Sequence, residues 1–165
     1  MAKQFKCGMY GGCFNPLHIG HIKCIEQAAS MCDKLMLVIC IGNKRAVPEI
    51  PEEIRVSWLK EAIKDLPNVQ IVRIYDDYDD KHKLSEETWL EMAEVVKAAA
   101  AEPIDAVFHG SDYPEHSIWS KCYPGAKKVI GQRDEVCSTE IRKDPMNHLD
   151  WMPPYVQPYY TARTD

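Results

Sequence analysis

Phe5-Lys6-Cys7-Gly8-Met9-Tyr10-Gly11-Gly12-Cys13-Phe14-Asn15-Pro16-Leu17-His18-Ile19-Gly20-His21 is the stretch whose reading decides the fold. Phe5 to Tyr10 is an apolar run of strand character, and a helical pattern follows. That pattern carries Ile19, Ile22, Ile25, Ala29 and Cys32 at spacings of three and four. Strand, glycine-containing loop and helix in succession make the opening of a βαβ unit. His18 and His21 stand three residues apart at the helix start and share one face. A helix start favours anions, because its first N–H groups lack intrahelical partners and the dipole is positive there. Gly11 and Gly12 remove side chains where a phosphate chain would approach the backbone. Donors aimed at a polyphosphate, with no nucleophile among them, point to phosphoryl or nucleotidyl transfer.

Outward from this segment the alternation continues. Residues 34–41 (KLMLVICI) are nearly continuously apolar, as in a strand buried on both faces. Pro51 suits a helix start, and Glu52 and Glu53 precede a stripe of Ile54, Trp58, Ala62 and Leu66. Val69 to Ile74 predicts a third strand. Ser85 predicts a cap for a helix through Trp89, Met92, Val96 and Ala99, with Thr88 where a full capping box would have Glu. Asp105 to His109 and Lys127 to Ile130 predict the fourth and fifth strands. The fold class expected is α/β, a Rossmann-like doubly wound parallel five-stranded sheet with helices on both faces, forming a single domain over residues 1–165. In such sheets ligands bind beyond the carboxyl ends of the strands. Residues 11–21, 42–45, 110–112 and 131–142 all follow strands, so they can meet in one crevice.

Composition narrows the class. The chain has 165 residues, enough for one domain with a proper core. Its 45% hydrophobic and 27% charged residues fit a globular protein. A net charge of -5, with no Lys/Arg cluster, argues against nucleic acid as a partner. No apolar segment has the length of a membrane span or a signal peptide, so no membrane partner is expected. The seven cysteines form no C-x-x-C pair and mostly fall in apolar patterns. They read as reduced, which points to the cytoplasm, and a zinc site is not expected. Asp76-Asp77-Tyr78-Asp79-Asp80 reads as a solvated turn rather than a metal site, and Lys23 as a solvated lysine. The aromatic and proline-rich tail, residues 146–165, packs against the domain or a neighbouring subunit of a homo-oligomer. Both placements stay open.

Residues 12–21 resemble the signature of the nucleotidyltransferase superfamily, G-x-F-x-P-x-H-x-G-H, at every fixed position. Val136-Cys137-Ser138-Thr139-Glu140-Ile141-Arg142 resembles its second element, I-S-x-T-x-I-R, with Cys137 where serine is common. Gly110-Ser111-Asp112 resembles its G-x-D element, against the plain alternative of a strand-to-helix cap.

The resemblance implies roles for these positions. His18, His21 and Arg142 would be catalytic. Gly11, Gly12, Phe14, Asn15, Gly20, Gly110, Asp112, Ser138 and Thr139 would bind ATP. The plain alternative for Ser138 and Thr139 is a cap on a short helix, although cap and phosphate clamp are the same physics. A helix start disfavours imidazolium, and bound triphosphate favours it, so the pair would be cationic only with substrate present. Lys44 is the first candidate for the acceptor's phosphate and Arg55 the second; with Arg45 they otherwise read as surface cations. Trp89 would stack on an acceptor base, although at its helical spacing it more often belongs to a core.

Residues 138–145, Trp151-Met152-Pro153 and Val156-Gln157-Pro158-Tyr159-Tyr160 resemble the nicotinamide-mononucleotide adenylyltransferase domain of bifunctional bacterial NAD-biosynthesis regulators. No G-x-x-x-x-G-K-[ST] loop accompanies it, so no kinase activity is expected, and no helix-turn-helix extension is visible. The implied reaction joins nicotinamide mononucleotide and ATP, with Mg²⁺ entering on ATP. The acceptor phosphate is already anionic, so no general base is required. Other acceptors (nicotinate mononucleotide, phosphopantetheine, a phosphosugar), use of CTP, and a non-catalytic ATP or NAD sensor are the alternatives. A dehydrogenase is weaker, since the first loop lacks G-x-G-x-x-G.

Overall fold

A computed structural model describes residues 3–42, 49–75, 86–109, 119–130 and 136–162. Five strands, β1 (Phe5–Gly12), β2 (Cys32–Ile41), β3 (Val69–Tyr75), β4 (Ala106–His109) and β5 (Lys127–Ile130), form one sheet in the order β3-β2-β1-β4-β5. Every pairing is parallel. The chain starts at the middle strand, winds to one edge, and returns to build the other half. The two halves therefore diverge between β1 and β4, where such sheets open a ligand crevice.

The helices are α1 (Ile19–Met31), α2 (Glu52–Ala62), α3 (Glu86–Ala100), α4 (Trp119–Cys122), α5 (Ser138–Lys143) and α6 (Pro158–Thr161), with a 3-10 segment at Pro145–Trp151. They cover both faces. Leu35, Leu37 and Ile39 of β2 pack on one side with residues of α1, α2, α5 and the tail. Met36 and Val38 pack on the other with Ala93, Val96 and Ala100 of α3. Alternate residues of one strand thus serve two cores, which is why residues 35–41 are apolar throughout.

The expected elements are all present with shifted ends. Cys32, expected on the first helix, opens β2 directly after α1. Asp105 precedes β4, and its carboxylate accepts the Lys6 and Cys7 amides at 3.0 Å each, tying β1 to β4. The α3 stripe is rotated by one position: Val96 is buried with Ala93 and Ala100, while Trp89, Met92 and Ala99 flank them. The tail settles on its own domain. Met152 and Val156 are buried in the α1/α2 core, and the Tyr159 ring stands edge-on to Trp58 at 5.7 Å. Among the described residues no helix is long and apolar enough to cross a membrane.

Candidate functional site

The loop between β1 and α1 leaves the sheet at the switch point. Phe14 adopts a left-handed backbone (φ 52°), a costly conformation for a bulky residue, of order 1–3 kcal/mol, that persists only where surroundings enforce it. Its buried ring stands edge-on to His21 at 4.9 Å and to Tyr10 at 6.0 Å. A Cβ on Gly12 would come within 3.3 Å of that ring, whereas one on Gly11 would meet only ordinary contacts with Met9 and Val38. Both glycines end β1, and the added atom would meet neighbouring side chains. Gly12 is explained by the Phe14 ring; space alone does not require Gly11.

The two histidines cap α1 reciprocally. His18 is the N-cap, and its Nδ1 accepts the His21 amide at 3.2 Å. His21 Nδ1 accepts the His18 amide, also at 3.2 Å. This is the capping-box arrangement with imidazoles in place of hydroxyl and carboxylate. The rings stack at 3.6 Å with 16° between planes. An Nδ1 that accepts an amide carries no proton, so the geometry assigns both rings as neutral Nε2–H tautomers. Gly20 lies against the first ring: a Cβ there would sit 3.0 Å from His18 Cε1 and 3.1 Å from Nδ1. The glycine between the histidines makes room for the ring that caps the helix.

The second signature reaches the same loop. Cys137, not Ser138 or Thr139, is the N-cap of α5, and no side chain caps that helix start. The Ser138 hydroxyl is used elsewhere, donating to the Pro16 carbonyl at 3.0 Å. Arg142 donates to the Asn15 carbonyl at 2.6 Å and to the Thr139 hydroxyl at 3.4 Å. Val136 O lies 3.9 Å from the point a Gly20 Cβ would occupy. The imidazole pair and the Ser-Thr-Arg trio therefore flank one loop.

Arg55 departs from expectation. It lies on the buried face of α2 and is 1% exposed, so it is not a surface cation positioned to receive an acceptor. Its donors go to Glu49 at 2.9 Å and to the carbonyls of Ile50 (2.7 Å), Cys13 (2.9 Å) and Cys40 (3.4 Å). Trp89 is half-buried against the α3-side core, which favours its packing role. Lys44, Arg45, Gly110, Ser111, Asp112, Ser85 and the 76–80 acidic segment lie outside the described residues. Two groups escaped the sequence reading. Glu49 accepts the Gly42 amide at 3.1 Å as well as Arg55, and nothing in its local sequence marks it. His109 is a buried polar residue ending β4 beside the switch point, a position the strand pattern alone identifies.

All seven cysteines are free thiols. Burial pushes Cys7 up to about 11 and Cys32 up to about 12, making them poor thiolates. Among the described residues no group of three or more His, Cys, Asp or Glu could hold a metal ion.

Known proteins resemble this chain in sequence and in fold. The phosphopantetheine adenylyltransferase of Lachnoclostridium phytofermentans is 36% identical over 67 residues, 41% of this chain and 40% of that protein. Its counterpart in Proteus mirabilis is 39% identical over 64 residues, 39% of each. The chain thus spans about 40% of the length of the curated relatives it matches. Among solved structures, a NadR protein in complex with NR superposes with a TM-score of 0.72 at 22% identity, covering 97% of this chain and 47% of that one. A bifunctional NMN adenylyltransferase/ADP ribose pyrophosphatase from Francisella tularensis gives 0.73 at 20% identity, covering 95% and 48%. At identities this low the likeness shows the fold alone. The cytidylyltransferase-like family model matches residues 9–160, from β1 into α6. This chain belongs to the cytidylyltransferase-like family of nucleotidyltransferases.

Proposed function

We propose that this chain transfers the adenylyl group of ATP to a phosphate-bearing acceptor, with nicotinamide mononucleotide as the first candidate. The observation that carries the reading is the junction of the two signatures, Ser138 on the Pro16 carbonyl and Arg142 on the Asn15 carbonyl. An oxygen of the acceptor's phosphate attacks the α-phosphorus of ATP in line. The bond to the bridging oxygen breaks, and pyrophosphate leaves with that electron pair. No proton need move, so catalysis rests on positioning and charge stabilisation. His18 and His21 would present Nε2–H donors, Arg142 a fixed cation, and the start of α1 its amides. Two imidazolium rings stacked at 3.6 Å would repel each other, so neutral donation by at least one ring fits the geometry better than a doubly charged pair. Magnesium enters as part of the ATP substrate.

The nicotinamide acceptor is favoured by the C-terminal motifs and by fold likeness over nearly the whole chain. A second reading, phosphopantetheine, is favoured by the curated sequence relatives. Purified protein with labelled ATP and a panel of nicotinamide mononucleotide, nicotinate mononucleotide, phosphopantetheine and a sugar phosphate separates them by pyrophosphate release. A parallel panel with CTP tests the nucleotide. Tight binding of ATP or NAD without any pyrophosphate release would replace the transferase by a sensor.

A further inference from the structure

Arg55 lies outside both signatures, yet its guanidinium reaches three separate stretches of chain. It donates to Cys13 in the signature loop, to Cys40 near the end of β2, and to Glu49 and Ile50 before α2. Glu49 in turn accepts the Gly42 amide, and the Asn15 side chain accepts the Ile50 amide at 2.9 Å. The Arg55 and Glu49 side chains are 1% and 10% exposed. A buried ion pair gives little net stability over an apolar pair of equal volume. A rigid guanidinium fork that ends on backbone carbonyls does something apolar groups cannot, because it fixes where those segments lie relative to one another.

We propose that Arg55 and Glu49 form a positioning device that couples the signature loop at Cys13–Pro16 to the chain at Gly42 and Glu49–Ile50. Order imposed by ATP on the first is thereby transmitted to the second. The proposal rests on the adenylyl-transfer reading and goes beyond it, since it assigns Arg55 to no substrate.

The test is the volume-preserving double variant Glu49→Leu/Arg55→Met, which removes both charges together. It is assayed with whichever acceptor the wild type turns over. The expected result is a cooperative melt near that of the wild type, with kcat lowered about 10–100-fold and both KM values within about threefold. A folded variant with wild-type kcat overturns the proposal. So does unchanged kcat with a raised acceptor KM, the signature of a direct ligand. Should the variant not fold, amide exchange of the wild type with the β,γ-imido analogue of ATP alone decides. Protection is expected at Gly42 and Ile50 as well as in the signature loop. Protection confined to the signature loop overturns the coupling. A wild type that neither binds the analogue nor releases pyrophosphate sinks the transferase reading itself, and the coupling with it.

Discussion

Arg55 and Arg142 donate to carbonyls of the same loop from two different helices, Arg55 to Cys13 O at 2.9 Å and Arg142 to Asn15 O at 2.6 Å. The first comes from α2 and is buried; the second comes from α5 and is half-buried. The strained Phe14 lies between the two carbonyls, so its unusual backbone is held at both ends by charge-assisted bonds.

Arg142 should therefore be sensitive to chemistry as well as charge. On its proposed role, Arg142→Ala is expected to lower kcat about 10²–10³-fold, the cost of losing one transition-state donor. Arg142→Lys should recover little, because an ammonium cannot bridge the Asn15 carbonyl and the Thr139 hydroxyl as a fork. Steady-state kinetics decide, with a thermal melt to confirm folding; a fully active lysine variant would contradict the fork.

His21 combines a cap with a proposed catalytic donor, and two substitutions separate these. His21→Ala should lose about 0.5–2 kcal/mol of stability, as N-terminal caps do, and about 10²–10³ in turnover. His21→Asn keeps a side-chain acceptor for the His18 amide, so it should regain part of the stability and none of the turnover. Urea unfolding paired with pyrophosphate release reads both. An asparagine variant with normal turnover would remove the imidazole from the mechanism.

Gly20→Ala is expected to hurt activity more than stability. Alanine gains about 0.5–1 kcal/mol as a helix former, but its Cβ would lie 3.0 Å from the His18 ring and must displace it. A shift of that ring should lower kcat by on the order of tenfold or more, while the melting temperature moves little. Unchanged kcat would mean that His18 tolerates displacement.

Gly8 tests the sheet rather than the site. A Cβ there would meet Cys32 Sγ at 2.6 Å and the Phe108 ring at 2.8 Å, with β1 held between β2 and β4. Gly8→Ala should destabilise by about 1–3 kcal/mol, the usual cost of overpacking a core. Turnover per folded molecule should be unchanged. An unfolding midpoint equal to the wild type would show that the sheet relaxes freely.

Thiol labelling gives a check that needs no substrate. With Cys7 pushed up to about 11 and Cys32 to about 12 by burial, almost none of either is thiolate at pH 8. Both should resist alkylation in the native state and react on unfolding, while half-buried Cys13, Cys40 and Cys137 label first. Peptide mass spectrometry reads the order. Early labelling of Cys7 or Cys32 would mean that the core opens readily.

Local pattern carried much of the reading, and its failures share a cause. The apolar runs and the helix after Gly12 were legible because strand and helix periodicity are local properties. Arg55 misled because an arginine four residues after Pro51 reads as a surface cation, and only the packing of α2 turns it inward toward Cys13 and Glu49. The plain alternative for Ser138, a helix cap, fails because its hydroxyl is drawn to a carbonyl 122 residues earlier in the chain. The tail had two open placements until Met152, Val156 and Tyr159 were seen against the domain's own helices.

By itself, the order of residues determined that strands and helices alternate and that two family signature motifs stand among them. Periodicity, glycine placement and helix-start chemistry act over a few residues and leave their mark in the text of the chain. Only the tertiary structure decided that the histidines cap one helix reciprocally and that two arginines hold a single loop. It also decided that Glu49 pairs with Arg55 beside the signature loop. Those contacts depend on directions and distances between elements, with Arg142 reaching across 127 residues to Asn15, and no local pattern encodes them.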